Sequence, residues 1–338
     1  MAFVMCSRWR ESKVTTPLLE IKDLHVWFEV FGGVLKVLDG VNLGVRKGEK
    51  VGIVGETGCG KTVMMKAMMG VLPMPPGRIP RGEILFQGKD ILKMSPTELG
   101  DMRGRDISMI PQGATESLNP VFKIGDQLMA VIRYSGDSQK ALSKQDLKSR
   151  AMDMLEEVRI PDVKRIMRSY SIQLSGGMRQ RVLIAMALAT EATLLIADEP
   201  STALDVTTQE QILRLMREMV KKRSVSIIII THNLGVVRQL TDRTYIMYAG
   251  NVAETARTRD LFSEAMHPYT HGLIDSVPKL TGKGIAPGIK GMIPDYLDPP
   301  KGCRFRPRCD HVMAICEKKP PLFKVGEDHE AACFLYQR

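Results

Sequence analysis

No stretch of this chain is long and apolar enough to cross a bilayer. The strongest β-branched run, Val225 to Ile230, falls far short of the ~18–20 apolar residues that a spanning helix needs. The first residues, MAFVMCSRWRESK, carry charges where a secretory signal peptide needs an apolar centre, so no such peptide is expected. Tandem repeats, low-complexity tracts and long heptad runs are missing as well. With 44% hydrophobic and 25% charged residues, a mostly disordered or collagen-like chain is excluded. These absences imply a protein made and kept in the cytosol. Its 338 residues, against a prior of ~150 per domain, suggest about two domains. Acidic residues are the scarcer sign: 48 Lys and Arg against 38 Asp and Glu leave a formal +10. Such a balance favours anionic partners (nucleotides, nucleic acid or an anionic membrane face) without choosing among them.

Cysteine is scarce and unevenly placed. Cys6 and Cys59 stand alone, whereas Cys303, Cys309, Cys316 and Cys333 crowd the last tenth of the chain. In a reducing compartment, a terminal cluster of four reads as a metal site rather than as disulfides.

Residues 1–17 read as a loose arm. From Leu18 to Gly55 the pattern is of short β-branched runs broken at Gly32-Gly33 and Lys47-Gly48. A helix is predicted from Lys61 to about Leu72, stopped by Pro73, Pro75 and Pro76, and RGEILFQGKDIL (81–92) reads as a hairpin. The span Thr115–Ser169 reads as helical. Within it Ser143 is placed to cap a helix whose apolar positions Leu147, Ala151, Met154, Leu155 and Val158 follow the 3.6-residue period. Next come a helix from about Gly177, a strand Thr193–Ala197, a helix Val206–Lys222 and a strand Val225–Ile230. That alternation implies a parallel sheet covered by helices. Between Pro278 and Gly302, ten of 25 residues are Gly or Pro, and no regular helix is expected there.

Three stretches carry chemistry. Gly55-Glu56-Thr57-Gly58-Cys59-Gly60-Lys61-Thr62 fits GxxxxGK[ST] and lies between an apolar strand, Val51–Val54, and an apolar helix. The glycines let backbone N–H groups cradle phosphates, Lys61 adds charge against the β- and γ-phosphates, and the Thr62 hydroxyl suits Mg2+; Cys59 reads as a small loop residue. Leu194-Leu195-Ile196-Ala197-Asp198-Glu199 is a buried-type strand ending in two acids. Asp198 can hold Mg2+ through water, and Glu199 can polarise the water that attacks the γ-phosphate. Leu174-Ser175-Gly176-Gly177-Met178-Arg179-Gln180-Arg181 opens a helix, so its free N–H groups form a second anion site. One nucleotide does not need two such sites; two nucleotides sandwiched between two chains do.

With LSGGMRQR about twenty residues ahead of LLIADEPSTALD, the chain from Leu18 onward resembles the ATPase subunit of ABC transporters. The fold this implies is α/β: a P-loop ABC ATPase with a RecA-like core, an antiparallel β subdomain and an inserted helical subdomain at about 113–180. The implied division is an N-terminal arm at 1–17, the ATPase domain at 18–265 and a cysteine-rich C-terminal extension at 266–338. The resemblance also implies a head-to-tail dimer in which Ser175, Gly176 and Gly177 contact the γ-phosphate of ATP held by the partner chain. Gln112 would link Mg2+ to the transmembrane contact, Asp205 would communicate across the dimer, and His232 would contact the γ-phosphate. Phe28 matches the aromatic that stacks on adenine, with Phe31 in reserve. The loop departs from the family pattern in reading Pro111-Gln112-Gly113 where an aromatic-Gln-Asp is usual.

GATESLNP after Gln112, HPYTHGLIDSVP (267–278) and the ending GCRFRPRC resemble the oligopeptide/dipeptide (and nickel) importer ATPases. In that subfamily the tail can hold a [4Fe–4S] cluster. The spacing C-x5-C-x6-C-x16-C lacks the C-x2-C pairs usual for zinc, which favours iron–sulfur over Zn2+. Arg304, Arg306 and Arg308 would offset the cluster's charge. The implied system is a second, related ATPase in a heterodimer, two transmembrane permease subunits and an extracytoplasmic substrate-binding protein, with this chain peripheral on the cytoplasmic face of the inner membrane. Oligosaccharide or nickel cargo is an alternative. A permease-free ATPase acting on DNA or the translation machinery is another. Such proteins usually carry two ATPase modules or a long coiled-coil insertion, whereas this chain has one phosphate loop and one LSGGM, so no nucleic-acid partner is expected.

Overall fold

The computed structural model describes residues 17–135, 142–202, 204–277 and 288–337. The expected loose arm, apart from its last residue, the lone Cys6 and the first part of the Gly/Pro-rich stretch lie outside them. In chain order the strands are β1 (Leu19–Val30), β2 (Gly33–Val45), β3 (Lys50–Val54), β4 (Gly77–Phe86), β5 (Lys89–Asp90), β6 (Ile107–Ile110), β7 (Leu194–Asp198), β8 (Ser226–Thr231), β9 (Arg243–Tyr248), β10 (Asn251–Arg257), β11 (Phe323–Gly326) and β12 (His329–Ala331). They form two sheets. An antiparallel one runs β2-β1-β4-β5, and a mixed one runs β11-β12-β10-β9-β3-β8-β7-β6.

β1 buries Leu19, Ile21, Leu24 and Val26 against the first helix, α1 (Lys61–Met68), and its neighbours. The sequence predicts that helix as far as Leu72. It stops at Met69 because Gly70 turns with φ +60, before the prolines are reached. The 81–92 hairpin starts earlier than expected, at Gly77, since β4 pairs along β1 as far as Phe28. α2 (Pro96–Arg105) leads into β6, and the expected helical span resolves into α3 (Ala114–Ser117), α4 (Ile124–Ser135), α5 (Lys144–Glu157) and α6 (Val163–Arg168). Ser143 caps α5, its hydroxyl accepting from the Asp146 N–H at 3.2 Å, and Leu147, Ala151 and Leu155 are buried along one face.

α7 (Gly176–Leu188) and α8 (Val206–Arg223) pack on the parallel strands, followed by α9 (Leu234–Leu240), α10 (Thr258–Ser263) and α11 (Pro268–Asp275). At the far end of α8, Lys222 and Arg223 hold Glu157 of α5 at 2.6 and 2.5 Å, tying the helical insertion to the core. The five parallel strands β9-β3-β8-β7-β6 are almost wholly buried, so their sequences read as continuous apolar runs. The last two strands extend this sheet past β10 by an antiparallel hairpin that the sequence reading did not anticipate.

Candidate nucleotide-hydrolysis site

The register of the parallel sheet decides where the chemistry sits. Val54 pairs with Thr231, Asp198 with Ile230, and Ile110 with Ala197. The segments leaving β3, β8, β7 and β6 therefore emerge side by side at one edge. They carry the phosphate loop, His232, Asp198-Glu199 and Gln112 respectively. This is where open α/β sheets bind ligands, beyond the carboxyl ends of their strands.

The phosphate loop turns through Gly58 and Gly60, at φ +86 and +102, into α1. Gly55 has no room for a side chain, because a Cβ there would stand 2.2 Å from the Met247 carbonyl. Lys61 is buried and donates to the carbonyls of Gly55 and Glu56 at 2.7 and 3.0 Å, so its ammonium is folded back over the loop. Thr57, Gly58 and Thr62 are exposed, and Cys59 is buried, where desolvation raises its thiol pKa.

Asp198 is 3% exposed. Burial first, then repulsion from Glu199, pushes its carboxyl up to about 6. Two neighbouring acids in so desolvated a place are a standing electrostatic cost that a bound cation would relieve. Glu199 adopts φ +49, an unusual backbone for a non-glycine residue, which is a mark of a functional site when the surroundings fix it. They do: its N–H donates to the Ile230 carbonyl at 2.8 Å, one carboxylate oxygen accepts from the Thr202 hydroxyl at 2.5 Å, and the other stands 2.7 Å from His232 Nδ1. The geometry brings Glu199 and His232 into direct contact. Thr202 is a further partner that the motif reading passed over.

Ser175 caps α7, its hydroxyl accepting from the Met178 N–H at 3.3 Å, and Ser175 and Gly176 are exposed. A Cβ on Gly177 would meet Thr208 at 2.7 Å, which sets the start of α7 against the first turn of α8. Asp205 caps α8 through the Thr208 N–H at 2.9 Å, and that bond holds its carboxyl below the usual range. Gln112 is exposed on the loop after β6. Phe28 is only partly exposed: its ring packs into the core of the antiparallel sheet, near Gly77. Phe31, in the β1–β2 turn, is fully exposed.

Residues 38–202 match the family described as ABC transporter, and residues 253–316 match that described as oligopeptide/dipeptide transporter, C-terminal region. The chain is 46% identical to the oligopeptide transport ATP-binding protein OppD of Bacillus subtilis, over 95% of this chain and 89% of that protein. It is 45% identical to the dipeptide transport ATP-binding protein DppD of the same organism, over 94% of each. This chain belongs to the ABC transporter family. Among solved structures, the ATP-binding cassette MJ0796 in a dimeric post-hydrolysis state bound to ADP and Pi superposes with a TM-score of 0.64 at 25% identity, over 71% of this chain and 99% of that one. As an ABC transporter subunit the chain is an ATPase.

The C-terminal region of this ABC transporter subunit bears on two expectations. Cys303, Cys309, Cys316 and Cys333 do line one small cavity, with Phe305, His267 and His311. Yet among the described residues no group of three or more His, Cys, Asp or Glu stands as a metal-binding set, so the geometry does not support the expected iron–sulfur or zinc site. Burial pushes the Cys303 thiol up to about 11 and raises those of Cys309 and Cys333, which keeps them protonated. Of the three arginines only Arg306 lines that cavity, and all three have other partners. Arg304 donates to the Ala249 carbonyl at 2.5 Å, Arg306 faces Glu317 at 3.3 Å, and Arg308 reaches Glu56 of the phosphate loop at 2.9 Å. Tyr269, Tyr296 and Arg308 all touch the phosphate loop; no local motif marks them, since their partners lie more than 200 residues away in sequence.

Proposed function

We propose that this chain is the ATP-hydrolysing subunit that energises import of di- or oligopeptides through a membrane permease. The observation that carries the chemistry is the alignment of four adjacent strand ends, which groups the phosphate loop, Asp198, Glu199, His232 and Gln112. The cargo rests on relatives named for oligopeptide and dipeptide transport.

In this reading the loop Gly55–Thr62 cradles the phosphates and Lys61 unfolds from its carbonyl partners onto them. Thr62, Asp198 and Gln112 would hold Mg2+, which would supply charge neutralisation to the phosphates. Glu199 orients and deprotonates the attacking water, and His232 fixes the carboxylate through the 2.7 Å contact. Ser175, Gly176 and Gly177 form the half-site for ATP on a partner chain, with Asp205 beside the seam. Phe31, rather than the packed Phe28, suits an adenine platform, because only an exposed ring offers a free face. The 18–265 and 266–338 division follows the same reading. Closure of two such chains, this one and a related ATPase, would move the permease loops near Gln112.

An importer of this kind works with permease subunits and a substrate-binding protein, and its ATPase is a peripheral membrane subunit. We place it on the cytoplasmic face. No helix among the described residues is long and apolar enough to cross a membrane. The four cysteines that share one cavity remain candidates for a [4Fe–4S] cluster, with Zn2+ as the rival. Anaerobic purification with iron, zinc and acid-labile sulfide analysis decides it; a metal-free protein removes both. The transport reading is tested by isolating the chain from native membranes in mild detergent. Co-recovery of multi-span permeases and a second ATPase is expected. Recovery only in the soluble fraction, with nucleic acid or ribosomes, would sink transport and leave the ATP chemistry standing.

A further inference from the structure

The phosphate loop is held from outside by the far end of the chain. The Glu56 N–H donates to the Tyr269 phenol oxygen at 3.0 Å, the Glu56 carboxylate accepts from Arg308 Nη1 at 2.9 Å, and the Gly58 carbonyl accepts from the Tyr296 hydroxyl at 2.7 Å. These residues lie in the first half of the loop, where the Glu56 carbonyl also accepts from the Cys59 N–H at 3.2 Å.

Two of these three holding side chains, Arg308 and Tyr296, are themselves fixed. The Arg308 side chain is 5% exposed. Its Nε donates to the Lys290 carbonyl at 2.7 Å and its Nη2 to the Ile289 carbonyl at 3.2 Å, while the guanidinium lies over the Tyr248 ring at 5.6 Å. The Tyr296 carbonyl accepts from the Lys36 N–H of β2 at 2.9 Å, and its ring lies under the Arg304 guanidinium at 5.7 Å. A guanidinium with so many fixed partners presents its free N–H in one direction only, which is how a bound loop is held in one geometry. The loop Gly302–Cys309 that carries Arg304, Phe305 and Arg308 thus sets the position of both contacts.

We propose that the C-terminal extension positions the phosphate loop for ATP, with Arg308 and Tyr296 as positioning residues that act through Glu56 and Gly58. The proposal rests on the ATPase reading and deepens it. The phosphate loop binds the nucleotide in both ground and transition states, so a loosened loop weakens binding while leaving the chemical step intact.

The test uses the full chain, a fluorescent ATP analogue for affinity and steady-state phosphate release for turnover. Tyr296→Phe removes one hydroxyl, and Arg308→Gln removes the cation paired with Glu56. Each is expected to raise the analogue's Kd and the KM for ATP about tenfold, with kcat within twofold of the parent. In a double-mutant cycle, Glu56→Gln with Arg308→Gln is expected to cost no more than the worse single change. A Tyr296→Phe protein with unchanged Kd overturns the proposal, whether or not Arg308→Gln folds. So does a loss of thermal stability with Kd and KM unmoved, or a fall in kcat alone. Failure of the parent chain to bind the analogue, with Lys61→Ala indistinguishable from it, would instead refute the ATP reading itself.

Discussion

Replacing Glu199 by glutamine separates catalysis from binding and stability. The side chain keeps its length and its φ of +49, and an amide can still bond both neighbours, its oxygen accepting from the Thr202 hydroxyl while its NH2 donates to an unprotonated His232 Nδ1. It loses only the charge and the basicity. A positioned general base contributes about 10²–10⁴-fold, so the barrier should rise by about 3–5 kcal/mol. Stability should move the other way or not at all. Asp198, 3% exposed, has a carboxyl pushed to about 6 from an ordinary 3.8, by burial first and by Glu199 second. Keeping it ionised at neutral pH costs about 3 kcal/mol, and Glu199→Gln removes one of the two causes. Phosphate release at saturating ATP is therefore expected to fall by at least about a hundredfold, with the ATP Kd within about threefold and the melting temperature equal or higher. Turnover within about threefold of the parent would refute Glu199 as the base. A large drop in melting temperature would refute the account of the acid pair.

The two remaining predictions concern the frame around the site. Glu254 is fully buried; burial is the largest single influence and pushes its carboxyl up, but His329 Nε2 at 2.7 Å and the N–H groups of Met266 and His267 at 2.8 Å together outweigh it and hold the carboxyl below 4.5. Since the unfolded chain then binds the extra proton first, this contribution is present above pH 4.5 and lost as pH falls through the folded value. Urea unfolding of Glu254→Gln should show a loss of about 3 kcal/mol at pH 7 and a flatter acid limb, and an unaltered pH profile would contradict the pairing. Gly250 has φ +78, and a Cβ there would lie 1.9 Å from the Val37 carbonyl. Gly250→Ala should cost at least about 2 kcal/mol, and a thermal melt unchanged from the parent would show that β2 can yield.

Some of this protein was legible in the chain because it depends on neighbours in sequence. The GxxxxGK[ST] turn needs glycines at fixed offsets. The start of α8 at Val206 follows from Asp205 capping it, and the apolar period after Ser143 marks α5. The acids at the end of β7 stand out because a buried strand has no packing use for them. Other features had no local signal. β6 and β9 are short and pair with strands far along the chain, and the closing hairpin β11–β12 joins the sheet only through β12 on the distant β10. Phe28 and Phe31 are three residues apart and chemically alike, so only packing against Gly77 distinguishes the buried ring from the free one. The arginines among the cysteines looked like counter-charges; the fold instead sends Arg308 to Glu56 and Arg304 to Ala249.

The sequence by itself determined that this chain hydrolyses ATP, because the phosphate loop, the acid pair and the LSGGM turn are each built from consecutive residues whose backbone conformations their own side chains dictate. Only the tertiary structure decided that Glu199 touches His232, and that the tail reaches the phosphate loop. The physical reason is that a parallel sheet sets its strand order through hydrogen bonds and burial between distant segments. No run of neighbouring residues encodes which strand ends will lie side by side.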